Sequence, residues 1–150
     1  MRITELNDSE CREVLSRVSI GRLGCSLEDQ PYVVPIGIAC ESDFLYVFST
    51  FGKKIKWMRI NPKVCVQVDE STGHTDWVSV IANGMYQELT EPQFSDEIAH
   101  ARKLLQKRHH WWLNALAERR LQVPDYEIAT IFLRIQITSL TGLRGTSENE

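Results

Sequence analysis

The sequence predicts an α+β fold in which a compact, mostly antiparallel β-barrel carries helices at its periphery. Three observations support this. Alternating or continuous apolar runs of strand length recur from Ile20 to Leu89 and again near the C-terminus. Helical periodicity is confined to stretches outside that block or inserted late in it. The polar turn Glu28-Asp29-Gln30-Pro31 between the first two runs suits a hairpin. Strands grouped in sequence with segregated helices are the α+β arrangement.

The first element is a helix. Asn7 can cap it, Glu10 follows three residues later as a capping box requires, and Cys11, Val14, Leu15 and Val18 form one apolar face. Ile20–Leu27 and Tyr32–Cys40 then read as two strands joined at the polar turn Glu28-Asp29-Gln30-Pro31. FLYVFS (44–49) and KVCVQV (63–68) are two further strands, and Trp77–Leu89 is a longer one. Beyond Pro92, the spacing of Phe94, Ile98, Ala101, Leu104, Leu105, Trp112, Ala115 and Leu116 predicts a helix running to about Arg119. Val123-Pro124 ends it. Glu127–Leu140 reads as the last strand, and residues from about 142 to 150 as a mobile tail.

The 150 residues, 43% of them hydrophobic, suit one domain spanning the chain, 1–150. A chain of this length buries roughly 70% of its unfolded surface and folds without disulfides or metal. A formal charge of -3 argues against nucleic acid as a partner. No apolar run approaches a membrane span, and the N-terminus lacks a signal-peptide core, so a cytoplasmic location is expected. The four cysteines, Cys11, Cys25, Cys40 and Cys65, include no CxxC pair and are expected to be free thiols, with no metal site.

The stretch from Asp43 to Asp69 is the most informative. Ser49, Thr50, Gly52, Lys53 and Lys54 fall in one short connection between strand runs. Hydroxyls, a glycine that admits close backbone approach and two cations can cradle a phosphate; a solvated lysine loop is the alternative. The GxxxxGK[ST] spacing of a Walker loop is absent. Arg22, between Gly21 and Gly24, can extend a bidentate fork toward a phosphate or carbonyl, or lie on the surface. Trp77 and Ser79 are two apart and share a sheet face, where they could stack on and hydrogen-bond a planar ring, or pack in a core or interface. His109 and His110 diverge by about 100° on a helix and cannot easily chelate one ion, so the run Arg108–Trp112 reads as a face packing its tryptophans on the barrel or a partner chain. His74 falls in a polar loop.

Taken in order, GRLGC, QPYVVPIGIA, DFLYVFST-x-GKK, NPKVCVQVD, WVSVIANGMYQEL and ITSLTGLRG resemble the flavin-nucleotide-binding branch of the pyridoxamine 5'-phosphate oxidase-like superfamily, which includes the nitroimidazole-resistance proteins. The resemblance implies an FMN-binding split β-barrel, homodimeric, with FMN in clefts at the subunit interface. It assigns Arg22, Lys53 and Lys54 to the phosphate region. Ser49 and Thr50 would bond the phosphate, ribityl chain or ring edge, Pro35 and Ile36 would lie beside the isoalloxazine, and Trp77 and Ser79 would line the cleft. Arg144 would reach across the dimer from the tail.

Two departures qualify what the resemblance implies. Nitroimidazole-resistance members often carry histidine where this chain has Phe48, which weighs against nitroimidazole reduction. The oxidases of vitamin B6 close with Arg-Leu-x-Pro, whereas the tail here reads Leu-Thr-Gly-Leu-Arg, which does not support formation of pyridoxal phosphate. The expected function is oxidoreduction of a small molecule by hydride transfer at the flavin N5, with no side chain required as acid or base. A flavin-binding module without turnover is the alternative, and haem or deazaflavin on the same barrel ranks below both.

Overall fold

A computed structural model describes residues 1–73, 75–108 and 130–147. Eight strands and three helices are described: β1 (Arg2–Glu5), α1 (Asp8–Arg17), β2 (Ile20–Leu27), β3 (Gln30–Gly37), β4 (Ala39–Glu41), β5 (Phe44–Thr50), α2 (Lys53–Ile60), β6 (Lys63–Thr72), β7 (Asp76–Leu89), α3 (Ser95–Gln106) and β8 (Thr130–Thr146). The expectations for His74, for the helix beyond Arg108 with His109, His110, Trp111 and Trp112, and for a strand start at Glu127 lie outside the described residues.

Every pairing is antiparallel, in the order β3-β2-β6-β7-β8-β5-β4, with β1 added to β8. The sheet curls without closing, leaving β3 and β4 as its edges among the described residues. This is the expected mostly antiparallel, split α+β barrel. Strand β8 organises it: one side pairs with β7 over most of its length, while the other pairs first with β5 and then with β1.

Alternation along each strand sends one set of side chains inward. Leu23, Val66, Val68, Val80, Leu45, Val47, Leu133 and Ile135 are all fully buried, packed with Val14 and Leu15 of α1 and Ile55 and Met58 of α2. Each such side chain contributes roughly 1.5–3 kcal/mol by leaving water. The capping box forms as expected: the Glu10 N–H donates to the Asn7 side chain at 2.8 Å, and the Asn7 N–H to Glu10 at 3.0 Å. A second core forms on the other face, where α3 presses Ile98, Ala101 and Leu105 onto Ala39, Tyr46 and Leu89.

Several boundaries differ from the sequence reading. Ser49–Lys54 is not one connection: Ser49 and Thr50 end β5, and Lys53 and Lys54 open the helix α2, which the sequence reading did not include; β6 also runs on from Val68 to Thr72. Strand β1 was not anticipated, because all of its side chains are exposed and no buried face marks it. The hairpin turn is only Glu28-Asp29, both at positive φ (50° and 66°), with Gln30 and Pro31 already in β3. The run Tyr32–Cys40 is broken: β3 ends at Gly37, the Ile38 N–H donates to the Ser19 carbonyl at 2.9 Å, and Ala39–Glu41 pairs with β5 instead. Residues 142–146, placed in a tail by the sequence, are strand, held by both β7 and β1. Their glycines hide the pattern: a Cβ at Gly142 would lie 2.8 Å from Leu6, and one at Gly145 would lie 2.4 Å from the Trp77 ring.

Beyond the reach of α3, the outer face of β2, β6, β7 and the end of β8 has no covering element among the described residues. Val33, Ile81, Met85 and Leu143 stand exposed on it, in different cross-strand rows of the same face.

Candidate functional site

Strand β5 ends at Thr50, and Phe51-Gly52 carries the chain into α2. Gly52 occupies the N-cap with no side-chain cap, so the helix begins with backbone N–H groups that no side chain satisfies. The first turn holds Lys53 and Lys54 and no acidic residue. Helix dipoles favour the opposite placement, carboxylates first and lysines last. A helix start that is uncapped and cationic is disfavoured alone and relieved by an anion.

The two lysines diverge. The Lys53 ammonium lies 4.7 Å from the centroids of both the Tyr32 and the Trp57 rings, which are themselves 5.7 Å apart and tilted by 54°. Trp57 is one helical turn beyond Lys53, so the helix itself supplies half of this clamp. Lys54 turns toward Cys25 on β2 and is half-buried. Burial pulls its ammonium below the ordinary lysine value of 10.5. Burial also pushes the Cys25 thiol up, with Lys54 opposing that change. No carboxylate pairs with Lys54 among the described residues. A half-buried charge without a partner is costly, and a phosphate oxygen is the kind of group that offsets it.

Other residues expected at this end are placed less directly. Ser49 is 4% exposed, faces the barrel interior, and donates its hydroxyl to the Thr50 carbonyl at 3.0 Å. Thr50 follows on the opposite face, at the rim. Ile36 is buried inside while Pro35 is exposed outside, as neighbours on a strand must be. They share the edge strand β3, where Pro31 and Pro35 are tolerated.

Arg22, Pro35, Trp77 and Ser79 belong to the outer face. Arg22 pairs in register with Pro35 on one side and Gln67 on the other, and its guanidinium donates to Asp69 at 3.1 Å. Gln67 Nε2 donates to Asp69 at 2.9 Å and to the Ser79 hydroxyl at 3.1 Å, completing a polar strip. Trp77 packs its ring against Gly145. One hollow of about 430 Å³ opens beside Ser79, Ile81 and Leu143, and another of about 580 Å³ lies between Gly24, Val33, Cys65 and Met85. Neither is lined by a lysine of α2. The sequence-predicted residues thus divide into a cationic end at β5–α2 and a polar strip on the outer face. One chain does not bring the two together.

Tyr32, Phe51 and Trp57 were not singled out by the sequence reading. The Lys53–Trp57 spacing was a usable signal; the approach of Tyr32 depends on the tertiary packing of α2 against the β2–β3 hairpin. Phe48 points away from the barrel interior, under α3, with its ring 5.0 Å from that of Phe132. Arg144 lies within β8 and bonds Glu10 at 3.3 Å. Cys11 and Cys25 are buried free thiols and Cys40 and Cys65 are half-buried ones. No group of metal ligands occurs among the described residues. No described helix is long and apolar enough to cross a membrane.

Comparison with known proteins places this geometry. An uncharacterized protein of Rhizobium meliloti (strain 1021) is 38% identical over 143 residues, which are 95% of each chain. The crystal structure of a FAD-binding protein from Mesorhizobium loti matches with a TM-score of 0.81 at 37% identity, covering 98% of this chain and 99% of that one. The fold alone is shared with a FAD-binding protein from Mycobacterium smegmatis, at a TM-score of 0.67 and 19% identity over 96% and 98% of the two chains. The family described as pyridoxamine 5'-phosphate oxidase matches residues 7–144, from the cap of α1 to the end of the barrel. On that match and that relative, the chain belongs to the pyridoxamine 5'-phosphate oxidase family.

Proposed function

We propose that the chain is a flavin-nucleotide-binding oxidoreductase that works as a homodimer in the cytoplasm, with the flavin phosphate at the start of α2. The observation that carries this reading is Lys54: a half-buried ammonium with no carboxylate partner among the described residues, beside an uncapped helix N-terminus. These residues fit a phosphate. Lys54 and the free N–H groups after Gly52 would hold it, and Lys53, fixed between Tyr32 and Trp57, adds a second charge at the rim. Each charge-assisted bond contributes about 1.5–3 kcal/mol. The edge of β3, with Pro35 and Ile36, offers an apolar wall and unpaired backbone groups to a planar ring.

When bound, the flavin supplies hydride transfer at its N5 position, and the protein binds and orients it. No acid–base pair is needed for this, and the described residues near the cradle offer none.

The division of the site supports the homodimer. Arg22, Trp77 and Ser79 face away from Lys54, so a second copy is what would bring such a polar strip to the flavin of the first. The exposed Val33, Ile81, Met85 and Leu143 around that strip suit burial against an identical face.

FMN is the cofactor that the sequence pattern supports. FAD is a second reading, favoured by the 37% identical Mesorhizobium protein described as FAD-binding. Protein mixed with FMN or FAD and then desalted should retain flavin with an altered absorption spectrum. Loss of both flavins on desalting would contradict the reading. Rapid reduction of retained flavin by NADH or NADPH, followed by turnover with an acceptor, supports an enzyme; its absence with all donors tried supports a binding module.

A further inference from the structure

Phe51 is 41% exposed, an unusual position for a phenylalanine immediately before the helix that begins the cradle. Its ring is attended by two cations of that helix: the Arg59 guanidinium at 5.0 Å and the Lys56 ammonium at 5.7 Å from the centroid. Arg59 is fixed there by a two-pronged contact with Glu88 on β7, at 2.8 and 2.9 Å. Helix α2 therefore has two cationic groups. Lys53 and Lys54 look toward the β2–β3 hairpin, while Lys56 and Arg59 gather around Phe51. The first turn contains no acidic residue; Glu88 of β7 neutralises Arg59, so Lys56 carries the unpaired charge of the second group among the described residues. A single phosphate at the first turn uses only the first group.

We infer that Phe51, Lys56 and Arg59 form a subsite for the adenosine-phosphate half of a flavin adenine dinucleotide. This inference rests on the flavin reading above and extends it to the choice of nucleotide. The flavin-side phosphate sits at Lys54 and the helix start. The adjoining phosphate reaches Lys56, and the adenine stacks on the Phe51 ring. Arg59, paired with Glu88, keeps that ring in place. Stacking of a base on an exposed aromatic side chain changes affinity by about 5-fold or more when the ring is removed. Phe51 packs in neither hydrophobic core, so its replacement leaves the fold intact.

The test is titration of the full-length chain with FMN and, separately, with FAD, followed by flavin fluorescence, for wild type, Phe51→Ala and Phe51→Tyr. Wild type should bind FAD more tightly than FMN. Phe51→Ala should weaken FAD about 5- to 10-fold while leaving FMN unchanged, and Phe51→Tyr should keep the wild-type preference. Equal weakening of both flavins by Phe51→Ala, or a FAD preference that survives it, would overturn the subsite while leaving the flavin reading standing. Failure of wild type to bind either flavin would remove the flavin reading itself, and the subsite with it.

Discussion

Lys53 and Lys54, adjacent in sequence, occupy opposite environments: the first rests at 4.7 Å on the Trp57 ring, while the second is half-buried beside Cys25. A helix turns about 100° per residue, so neighbours at its start must diverge. The pair is therefore not a symmetrical clamp. Lys54 is the charge that lacks compensation, and Lys53 is the charge already held by aromatic faces.

This asymmetry separates the two alanine variants. Lys54→Ala should weaken flavin binding by about 10-fold or more, the size of one charge-assisted hydrogen bond. Its unfolding midpoint without flavin should be unchanged or raised, because a half-buried ammonium has been removed. Lys53→Ala should have the smaller effect on flavin and lower stability by about 0.5–1 kcal/mol through the lost ring contacts. The double variant should bind flavin worst. Fluorescence titration and chemical denaturation check both statements.

Lys54 also sets a pH dependence. Its pKa in the folded chain is depressed below 10.5 by burial, and a bound phosphate favours the protonated form. Affinity for a phosphorylated flavin should be constant around neutrality and fall as pH rises through the depressed value. Flavin-free stability should move the other way. Between the folded pKa and 10.5 the native state loses this proton before the unfolded chain does, so the charge burial cost is relieved and stability rises with pH. Lys54→Ala should remove both trends. Riboflavin, which lacks the phosphate, should show no such fall in affinity.

The outer face is where the proposed dimer would form. Ile81→Glu places a charge among Val33, Met85 and Leu143 in their shared face, and should convert a dimer into a monomer in sedimentation velocity. Flavin affinity should fall with it. A variant that stays dimeric, or a wild type that is monomeric, would contradict the assigned interface.

Gly84 tests the barrel wall. A Cβ there would sit 2.4 Å from the Gln136 carbonyl oxygen, where β7 and β8 shift register. Backbone cannot yield as a flexible side chain does. Gly84→Ala should cost about 1–3 kcal/mol in denaturant unfolding.

Much of this was legible in the sequence, because most strands have one buried face. Leu23, Cys25, Val64, Val66, Val68, Val78 and Val80 alternate with exposed or half-buried neighbours, so period two marked β2, β6 and β7. The cap of α1 was equally readable, since both partners of the box lie within four residues. Strand β1 was not, having no buried side chain, and the end of β8 was hidden by Gly142 and Gly145, whose role is to admit Leu6, Cys11 and Trp77. At the candidate site, the Gly-Lys-Lys signature marked what the structure shows as the start of α2. It could not show which lysine was buried, because that depends on Tyr32 and Cys25 arriving from a distant hairpin. Nor could it show that Arg22 is engaged with Asp69 on the other face, a contact made across two strands.

The central claim is that the start of α2 receives a flavin phosphate through Lys54. The most direct measurement compares dissociation constants of FMN and riboflavin for wild type and Lys54→Ala, by fluorescence titration at neutral pH. The account predicts that wild type prefers FMN by about 10-fold or more and that Lys54→Ala loses most of this preference, with riboflavin affinity nearly unchanged. Equal binding of FMN and riboflavin by wild type, or an FMN preference that Lys54→Ala leaves intact, would contradict it.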